Sequence, residues 1–414
     1  MSRLAPLLAA LLLTPLAAEE APPAGRLGSA EFRPSPERPF GWRGDGSGRY
    51  LGATPVTEWS PTKNIRWTAV VGKSYSSPVV TDKLVLALSE PDLLICLDRA
   101  DGKEKWRMKV TSADLQDAAE KETADQYLAK DTGHTAATPV TDGATVYAAF
   151  ANGIVRAATL EGKTKWTAFV EARQNTAYGR SSSPILVAGK LILHMTNLYA
   201  FDPATGKRLW VNEEAKCQYG TPACLRQGKV DLIVTCAGDV IRCDDGKKVN
   251  DQIGNTSNSS PVAMDGLIYF GEKDVRAIKL GAEFKDESVW NGEIMGDVFG
   301  SPLLHGGLLY TVSGKGDLIA FDAGKKGATE PVIDMRPLFG DDVGAQPILY
   351  SSVTLAGKYL FVSSNLGDIV VLEATKEAKV VAKNRIKDGS GASPVFSGRD
   401  LFLRDGDRLL CIGN

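Results

Sequence analysis

Nine aromatic or polar residues stand in similar places along the chain, each shortly before a recurring short signature. They are Tyr75, His134, Tyr178, Arg180, Tyr219, Asn258, Asp297, Phe299 and Tyr350. Aromatic faces with a few convergent polar groups are typical of a pocket for a small polar ligand, provided that the fold brings them together. The sequence therefore predicts a ligand-binding rim. The alternative is that these residues serve ordinary turns and packing.

Known catalytic signatures are absent from the sequence. It contains no Gly-x-Ser-x-Gly, no His-Glu-x-x-His, no phosphate loop ending in Gly-Lys-Ser/Thr and no Cys-x-x-Cys. With only 3 His, the chain has little material for a His-rich metal site. We therefore expect no catalytic residues and no metal, although a hydrolase or lyase built from scattered loop residues remains an alternative.

The charge balance excludes another class of function. Lys and Arg number 48 against 50 Asp and Glu, which gives a net charge of −2. A generic nucleic-acid binder or a polybasic membrane binder would carry a marked basic excess. We expect no nucleic-acid partner.

The elements that position these residues are revealed by the recurring signature, in which two small residues are followed by Pro and an apolar residue. Ser76-Ser77-Pro78-Val79 is one example. The Pro position recurs at 78, 139, 184, 222, 261, 302, 353 (where Val stands) and 394, about 45 residues apart on average. Periods of this length indicate propeller blades or helical arrays.

The content of each period favours a propeller. After Pro78 come short apolar runs such as Leu84–Leu88 and Leu93–Cys96, separated by turn residues, and then an alternating run around Trp106. Four β-prone runs in about 45 residues are the content of one propeller blade. We predict an all-β fold, an eight-bladed β-propeller of four-stranded antiparallel blades.

A second signature marks the turn into the outer strand of a blade. Its fullest copy runs from Ala200 through Asp202, Thr205 and Gly206 to Trp210. The Asp can accept hydrogen bonds from turn N–H groups, Gly takes a positive φ, and Trp offers a flat surface. We expect these tryptophans to seal one blade against the next: Trp67, Trp106, Trp166 and Trp210.

This pattern, Ala-x-Asp-x-x-Thr-Gly-Lys-x-x-Trp, resembles the tryptophan-docking motif of the pyrroloquinoline quinone (PQQ) repeat family. That family of eight-bladed propellers includes the quinoprotein alcohol dehydrogenases and the non-catalytic outer-membrane assembly factor BamB. The resemblance covers about 350 residues, from Ile65 to the C-terminus.

The resemblance implies two functions. In the dehydrogenases, calcium and PQQ lie at the axial position, beneath a disulfide between two adjacent cysteines. This sequence has no Cys-Cys pair, and Asp297 is the one carboxylate that aligns with the rim. We therefore expect a non-catalytic scaffold or binding module without a cofactor, for an envelope protein or a small polar ligand at the channel mouth. The alternative is a PQQ- and calcium-dependent alcohol or aldose dehydrogenase.

The N-terminal residues predict export. Residues 1–18 have the charged, apolar and small-residue order of a signal peptide, and no Cys follows before Cys96 to carry a lipid anchor. We expect a periplasmic or secreted bacterial protein, monomeric and without a transmembrane anchor. Export permits disulfides, and one local bridge is expected among Cys217, Cys224, Cys236 and Cys243. Cys96, Cys243 and Cys411 fall at similar points of the repeat and are expected to be buried.

The remaining organisation follows from the repeat. Residues 19–64 form a lead-in that we expect to pack on a propeller spanning 65–414. The last period ends after three strands, so residues 65–71 are predicted to supply the outer strand of the last blade and close the ring. A helical insertion is predicted over about 112–130, beginning at the N-cap Ser112 and stopping at Gly133.

Overall fold

The computed structural model describes residues 25–127, 133–173, 178–216, 218–339 and 348–414. Eight separate sheets, each containing four antiparallel strands, confirm the eight-bladed β-propeller. The segment predicted as a signal peptide lies outside the described residues. No helix within them is long and apolar enough to cross a membrane.

Each blade consists of four strands, ordered from the innermost at the axis to the outermost at the periphery. Blades 1 to 4 contain Val79–Val80, Leu84–Ser89, Leu93–Asp98 and Glu104–Lys109; Val140–Thr141, Thr145–Ala149, Ile154–Thr159 and Thr164–Phe169; Ile185–Val187, Lys190–His194, Leu198–Phe201 and Arg208–Asn212; and Ala223–Gln227, Val230–Val234, Val240–Arg242 and Lys248–Asn250. Blades 5 to 8 contain Val262–Met264, Leu267–Gly271, Asp274–Leu280 and Asp286–Glu293; Leu303–His305, Leu308–Val312, Asp317–Asp322 and Ile333–Pro337; Thr354–Ala356, Tyr359–Ser363, Asp368–Glu373 and Val380–Arg385; and Val395–Ser397, Asp400–Asp405, Arg408–Ile412 and Ile65–Val70.

The ring closes through the N-terminal strand, as the sequence predicts. Ile65–Val70 pairs antiparallel with Arg408–Ile412, and Trp67 lies opposite Cys411. The last blade therefore combines the two ends of the propeller sequence in one sheet. This pairing removes an open sheet edge and joins blade 8 to blade 1.

The helix in the insertion between blades 1 and 2 is shorter than predicted. It contains a 3₁₀ turn at Ser112–Asp114 and an α-helix at Ala118–Gln126. The predicted N-cap Ser112 is wrong, because the carboxylate of Asp117 accepts hydrogen bonds from the first free N–H groups of the helix. Residues 128–130 of the predicted span lie outside the described residues.

Tryptophans join consecutive blades at the periphery. The indoles of Trp67, Trp106, Trp166 and Trp210 each donate a hydrogen bond to a carbonyl in the turn of the next blade, at 2.8–3.0 Å. The glycines of those turns, Gly102, Gly162, Gly206 and Gly246, lie directly against the indole rings. Each has a positive φ, so the turn requires Gly for its backbone angle as well as for the space.

A fifth tryptophan acts in the same way and is not apparent from the sequence. Trp290 in blade 5 is fully buried, donates to the carbonyl of Ala323 at 3.1 Å, and stacks on Phe321. The hairpin before Trp290 contains a 3₁₀ turn, Ala282–Phe284, which breaks the eleven-residue spacing. This is why the turn signature does not identify it.

Small residues lie opposite these tryptophans. Cys96 pairs with Trp106, Cys411 with Trp67, and Ala200 with Trp210. Cys96, Cys243 and Cys411 are fully buried, which confirms the expectation for them. The thiols of Cys96, Cys224, Cys243 and Cys411 are free. Cys217 lies outside the described residues, so the local bridge remains a prediction.

The lead-in packs across the propeller. Phe40 exchanges backbone hydrogen bonds with Thr141 of blade 2, and Arg49–Tyr50 adds a parallel strand to the innermost strand of blade 7. The fully buried Arg43 donates to the carbonyls of Pro302 in blade 6 and Val353 in blade 7, at 2.9 and 3.0 Å. These contacts tie one continuous segment to blades on opposite sides of the axis.

We predict that Gly206→Ala destabilises the protein by about 2 kcal/mol more than Gly189→Ala. Both glycines have φ near +70°, so both substitutions carry the same left-handed backbone strain. A Cβ at Gly206 would lie 2.5 Å from the Trp166 ring, whereas one at Gly189 would meet no atom within 4 Å. Urea unfolding of the two variants measures the difference, and equal losses would contradict the docking role of this turn.

A second prediction concerns acid stability. His194 in blade 3 is fully buried, its Nε2 bonds the carbonyl of Ala215 at 3.3 Å, and its Nδ1 has no partner. Burial lowers the pKa of His194 to about 4 from 6.5. Between these values the unfolded chain binds a proton that the native state does not, so the native state loses stability as the pH falls from 6.5 towards 4.

At pH 5, protonation of His194 in the unfolded chain lowers the free energy of unfolding by about 2 kcal/mol relative to pH 7. The loss of unfolding free energy between pH 7 and pH 5 should therefore be about 2 kcal/mol larger in the wild type than in His194→Gln. Urea titrations at the two pH values measure it. If both proteins lose the same amount, His194 does not make that contribution.

Candidate functional site

Eight hydroxyl residues surround the propeller axis. Each is the small residue directly before the Pro position of the repeated signature: Ser77, Thr138, Ser183, Thr221, Ser260, Ser301, Ser352 and Ser393. We call this set the hydroxyl ring. Every period has Ser or Thr at this position, a regularity that is visible in the sequence once the periods are aligned.

Hydrogen bonds connect the hydroxyl ring from blade to blade. In seven successive contacts, the backbone N–H of one member donates to the side-chain oxygen of the next, at 2.8–3.2 Å. The circle closes where the hydroxyl of Ser77 donates to the carbonyl of Ser393 at 2.9 Å. Thr221, for example, donates to Ser260, and Ser260 to Ser301. The inner N–H groups, which would otherwise be unpaired, are satisfied in this way.

The hydroxyl ring forms the wall of an axial cavity of about 590 Å³, which we call the cup. This volume is typical of a small-molecule site, for which about 300–1,000 Å³ is usual. Trp42 of the lead-in borders the cup and also a second cavity of about 440 Å³, whose lining includes lead-in residues and the inner strands of blades 3 to 5. Trp42 therefore lies across the axial channel between the two cavities.

Aromatic side chains surround the mouth of the cup. Tyr219 makes an edge-to-face contact with Tyr178, with ring centroids 6.4 Å apart, and Phe299 lies 5.4 Å from Tyr350. Burial, together with the nearby phenols of Tyr178 and Tyr75, raises the pKa of Tyr350. Tyr178, Tyr75 and Tyr350 precede blades 3, 1 and 7, so the mouth brings together side chains that are far apart in the sequence.

Two carboxylates, the buried Glu272 and the half-buried Glu90, hold loops next to this mouth. Glu272, just after the second strand of blade 5, accepts hydrogen bonds from the N–H groups of Ser257, Asn258 and Ser259 at 2.8–3.0 Å. Glu90 accepts similar bonds from His134 and Thr135. These two loops, at residues 257–259 and 134–135, are thus fixed through their main chain.

The structure brings six of the nine predicted rim residues together in the cup lining. They are Tyr75, Tyr178, Tyr219, Asn258, Phe299 and Tyr350. Five of these stand two positions before the hydroxyl ring residue of their blade. Side chains alternate along an extended segment, so a residue at this spacing shares the face of the ring residue.

The other three predicted residues do not line the cup. His134 and Asp297 stand four positions before their ring residues, and Ala136 and Phe299 occupy the lining positions of those blades. Arg180 stands three positions before Ser183, on the opposite face. It is buried, and its guanidinium donates to the carbonyls of Arg173 and Gln218. Arg180 thus lies on the face opposite Ser183, whereas His134 and Asp297 stand two residues further from the ring than the lining residues Ala136 and Phe299.

The described lining of the cup carries no charged side chain. It consists of hydroxyl, amide, aromatic and small residues. PQQ bears carboxylate groups, and calcium requires carboxylate oxygens among its ligands. Within the described ranges, no group of three or more His, Cys, Asp or Glu side chains is placed to hold a metal ion. The described lining offers no charged side chain to PQQ or to calcium, and we derive no chemistry through them.

Fold and site together define an eight-bladed propeller with an axial cup. Residues 53–243 match the family model of the outer membrane protein assembly factor BamB. The chain is similar to the PQQ-like eight-bladed β-propellers, a group that includes BamB and the propeller of the quinoprotein dehydrogenases. No curated protein sequence matches the chain.

Solved structures give the same fold. BamB from Moraxella catarrhalis superposes with a TM-score of 0.57 at 12% identity, over 82% of this chain and 94% of that one. A europium-containing methanol dehydrogenase gives 0.58 at 10% identity, over 89% of each chain. A quinohemoprotein alcohol dehydrogenase from Comamonas testosteroni gives 0.57 at 12% identity, over 90% of this chain and 80% of that one. Such low identities establish the fold alone.

The hydroxyl ring makes a direct prediction. Ser260→Ala removes the acceptor for the buried N–H of Thr221 and should reduce the unfolding free energy by about 1–3 kcal/mol. The neighbouring Ser259→Ala should cost far less, because the buried Ser259 hydroxyl has no partner. Ser260→Thr should retain most of the stability, since Thr already occupies the equivalent positions 138 and 221. Urea unfolding of the three variants tests this order, and equal effects of the two alanine variants would contradict it.

Proposed function

We propose that the protein is a non-catalytic binding module of the bacterial envelope, which receives a small polar ligand or a loop of an envelope protein at the mouth of the cup. One observation carries the proposal. Tyr75, Tyr178 and Tyr350 are the exposed large aromatic side chains of the described residues, and all three lie at this mouth. Their exposed fractions are 47%, 51% and 47%.

Exposed aromatic clusters on a rigid frame are typical of binding sites, because such side chains lose little conformational entropy on contact and bury a large area. The match to the BamB family model supports a binding or scaffold role. The envelope location is supported by the same match and by the signal-peptide pattern of residues 1–18.

A PQQ-dependent dehydrogenase is the second candidate. The similarity to quinoprotein dehydrogenases favours it at the level of the fold. The uncharged character of the described lining favours the binding module instead.

The proposal can be tested without knowing the ligand. Hydroxyl-radical footprinting of the mouth tyrosines is carried out on the protein in intact cells and after purification. We expect Tyr75, Tyr178 and Tyr350 to be about threefold less modified in cells, because an occupant covers them. Leu209, which is 45% exposed on the outer strand of blade 3, is the control and should react equally in both samples.

Equal modification of the mouth tyrosines in both samples would overturn the proposal. A parallel calorimetric titration of the purified protein with PQQ, in calcium and then in chelator, addresses the second candidate. We expect no heat of binding. Calcium-dependent binding would instead favour the dehydrogenase and direct the search to alcohol and aldose substrates.

A further inference from the structure

The cup presents three kinds of chemistry at once: flat aromatic faces at the mouth, a ring of hydroxyls in the wall, and no charged side chain in the described lining. We propose, resting on the function above, that its ligand is an uncharged saccharide held by stacking on the mouth tyrosines and by hydrogen bonds to the wall.

The absence of charge in the described lining selects against ionic ligands. A carboxylate, phosphate or ammonium group entering the cup would lose hydration without meeting an opposite charge there, which is unfavourable. The two charged residues predicted for the rim do not line the cup: Arg180 donates to loop carbonyls, and Asp297 is exposed. A neutral ligand avoids this cost.

The wall suits a ligand with many hydroxyl groups. Ser260, like six other members of the ring, accepts an N–H from the neighbouring blade and retains its own O–H as a donor. Asn258 donates through Nδ2 to Glu272 at 3.1 Å, which fixes the amide and leaves Oδ1 as an acceptor at the mouth. Fixed donors and acceptors would pair with sugar hydroxyls, whereas a purely apolar ligand would leave them unsatisfied.

The aromatic rings at the mouth suit the C–H face of a sugar ring. Tyr75, Tyr178 and Tyr350 present rings that are about half exposed and come from blades 1, 3 and 7. Their convergence lets more than one ring contact the same ligand. Trp42 of the lead-in also borders the cup and adds a further aromatic surface.

The test is a calorimetric titration of the full exported chain with neutral tetrasaccharides of glucose, mannose and N-acetylglucosamine. Tetragalacturonate, of equal length but negatively charged, is the comparison. We expect at least one neutral tetrasaccharide to bind, and Tyr75→Ser and Tyr350→Ser each to weaken that binding by about tenfold through lost stacking. Leu209→Ser, a matched exposed residue outside the cup, should leave it unchanged.

The outcomes separate this inference from the broader function. Failure of every neutral tetrasaccharide to bind, or tighter binding of tetragalacturonate, would overturn the saccharide assignment. Binding that survives both tyrosine substitutions would overturn it as well, by placing the sugar elsewhere. If the tyrosines are nevertheless protected in cells, the binding function stands and the occupant is a protein loop or another ligand.

Discussion

The structure depends on closing a ring of eight blades, because each sheet is stable only when both of its faces meet neighbours. The contacts that satisfy this constraint lie at two radii. Near the axis, each member of the hydroxyl ring is hydrogen-bonded to a member in the next blade. At the periphery, tryptophans such as Trp166 pack on the glycine turn of the next blade. A final strand taken from the N-terminal side completes the last sheet, so the ends of the propeller sequence are held together.

The lead-in borders the axial cavity of this ring. A propeller alone has a channel open at both ends, but in this chain Arg43 anchors the lead-in between blades 6 and 7, and the adjacent Trp42 lies across the channel. The result is a cavity with a floor, walls and a mouth. The segment outside the repeat is therefore the element that gives the axial cavity its form.

The family comparison allows two kinds of function, and the side chains of the cup favour one of them. A PQQ-like propeller can carry an oxidoreductase site or serve as a binding module, because function depends on the side chains placed on the fold. In this chain the described lining is aromatic, hydroxylic and uncharged. That chemistry supports recognition of a neutral polar partner, and it is the basis of our proposals.

The sequence by itself determined the repeat, the strand content, the eight blades, the closing strand at Ile65–Val70 and four of the docking tryptophans. All of these follow from local patterns that recur at a fixed spacing. It also placed six mouth residues near the axis, because they precede the same signature. Tertiary structure alone decided which side chains line the cup, because spacing from the ring does not separate Tyr178, which lines it, from His134, Arg180 and Asp297, which do not. It also decided the role of Trp290 and the position of Trp42, because those depend on contacts between segments that no local pattern relates.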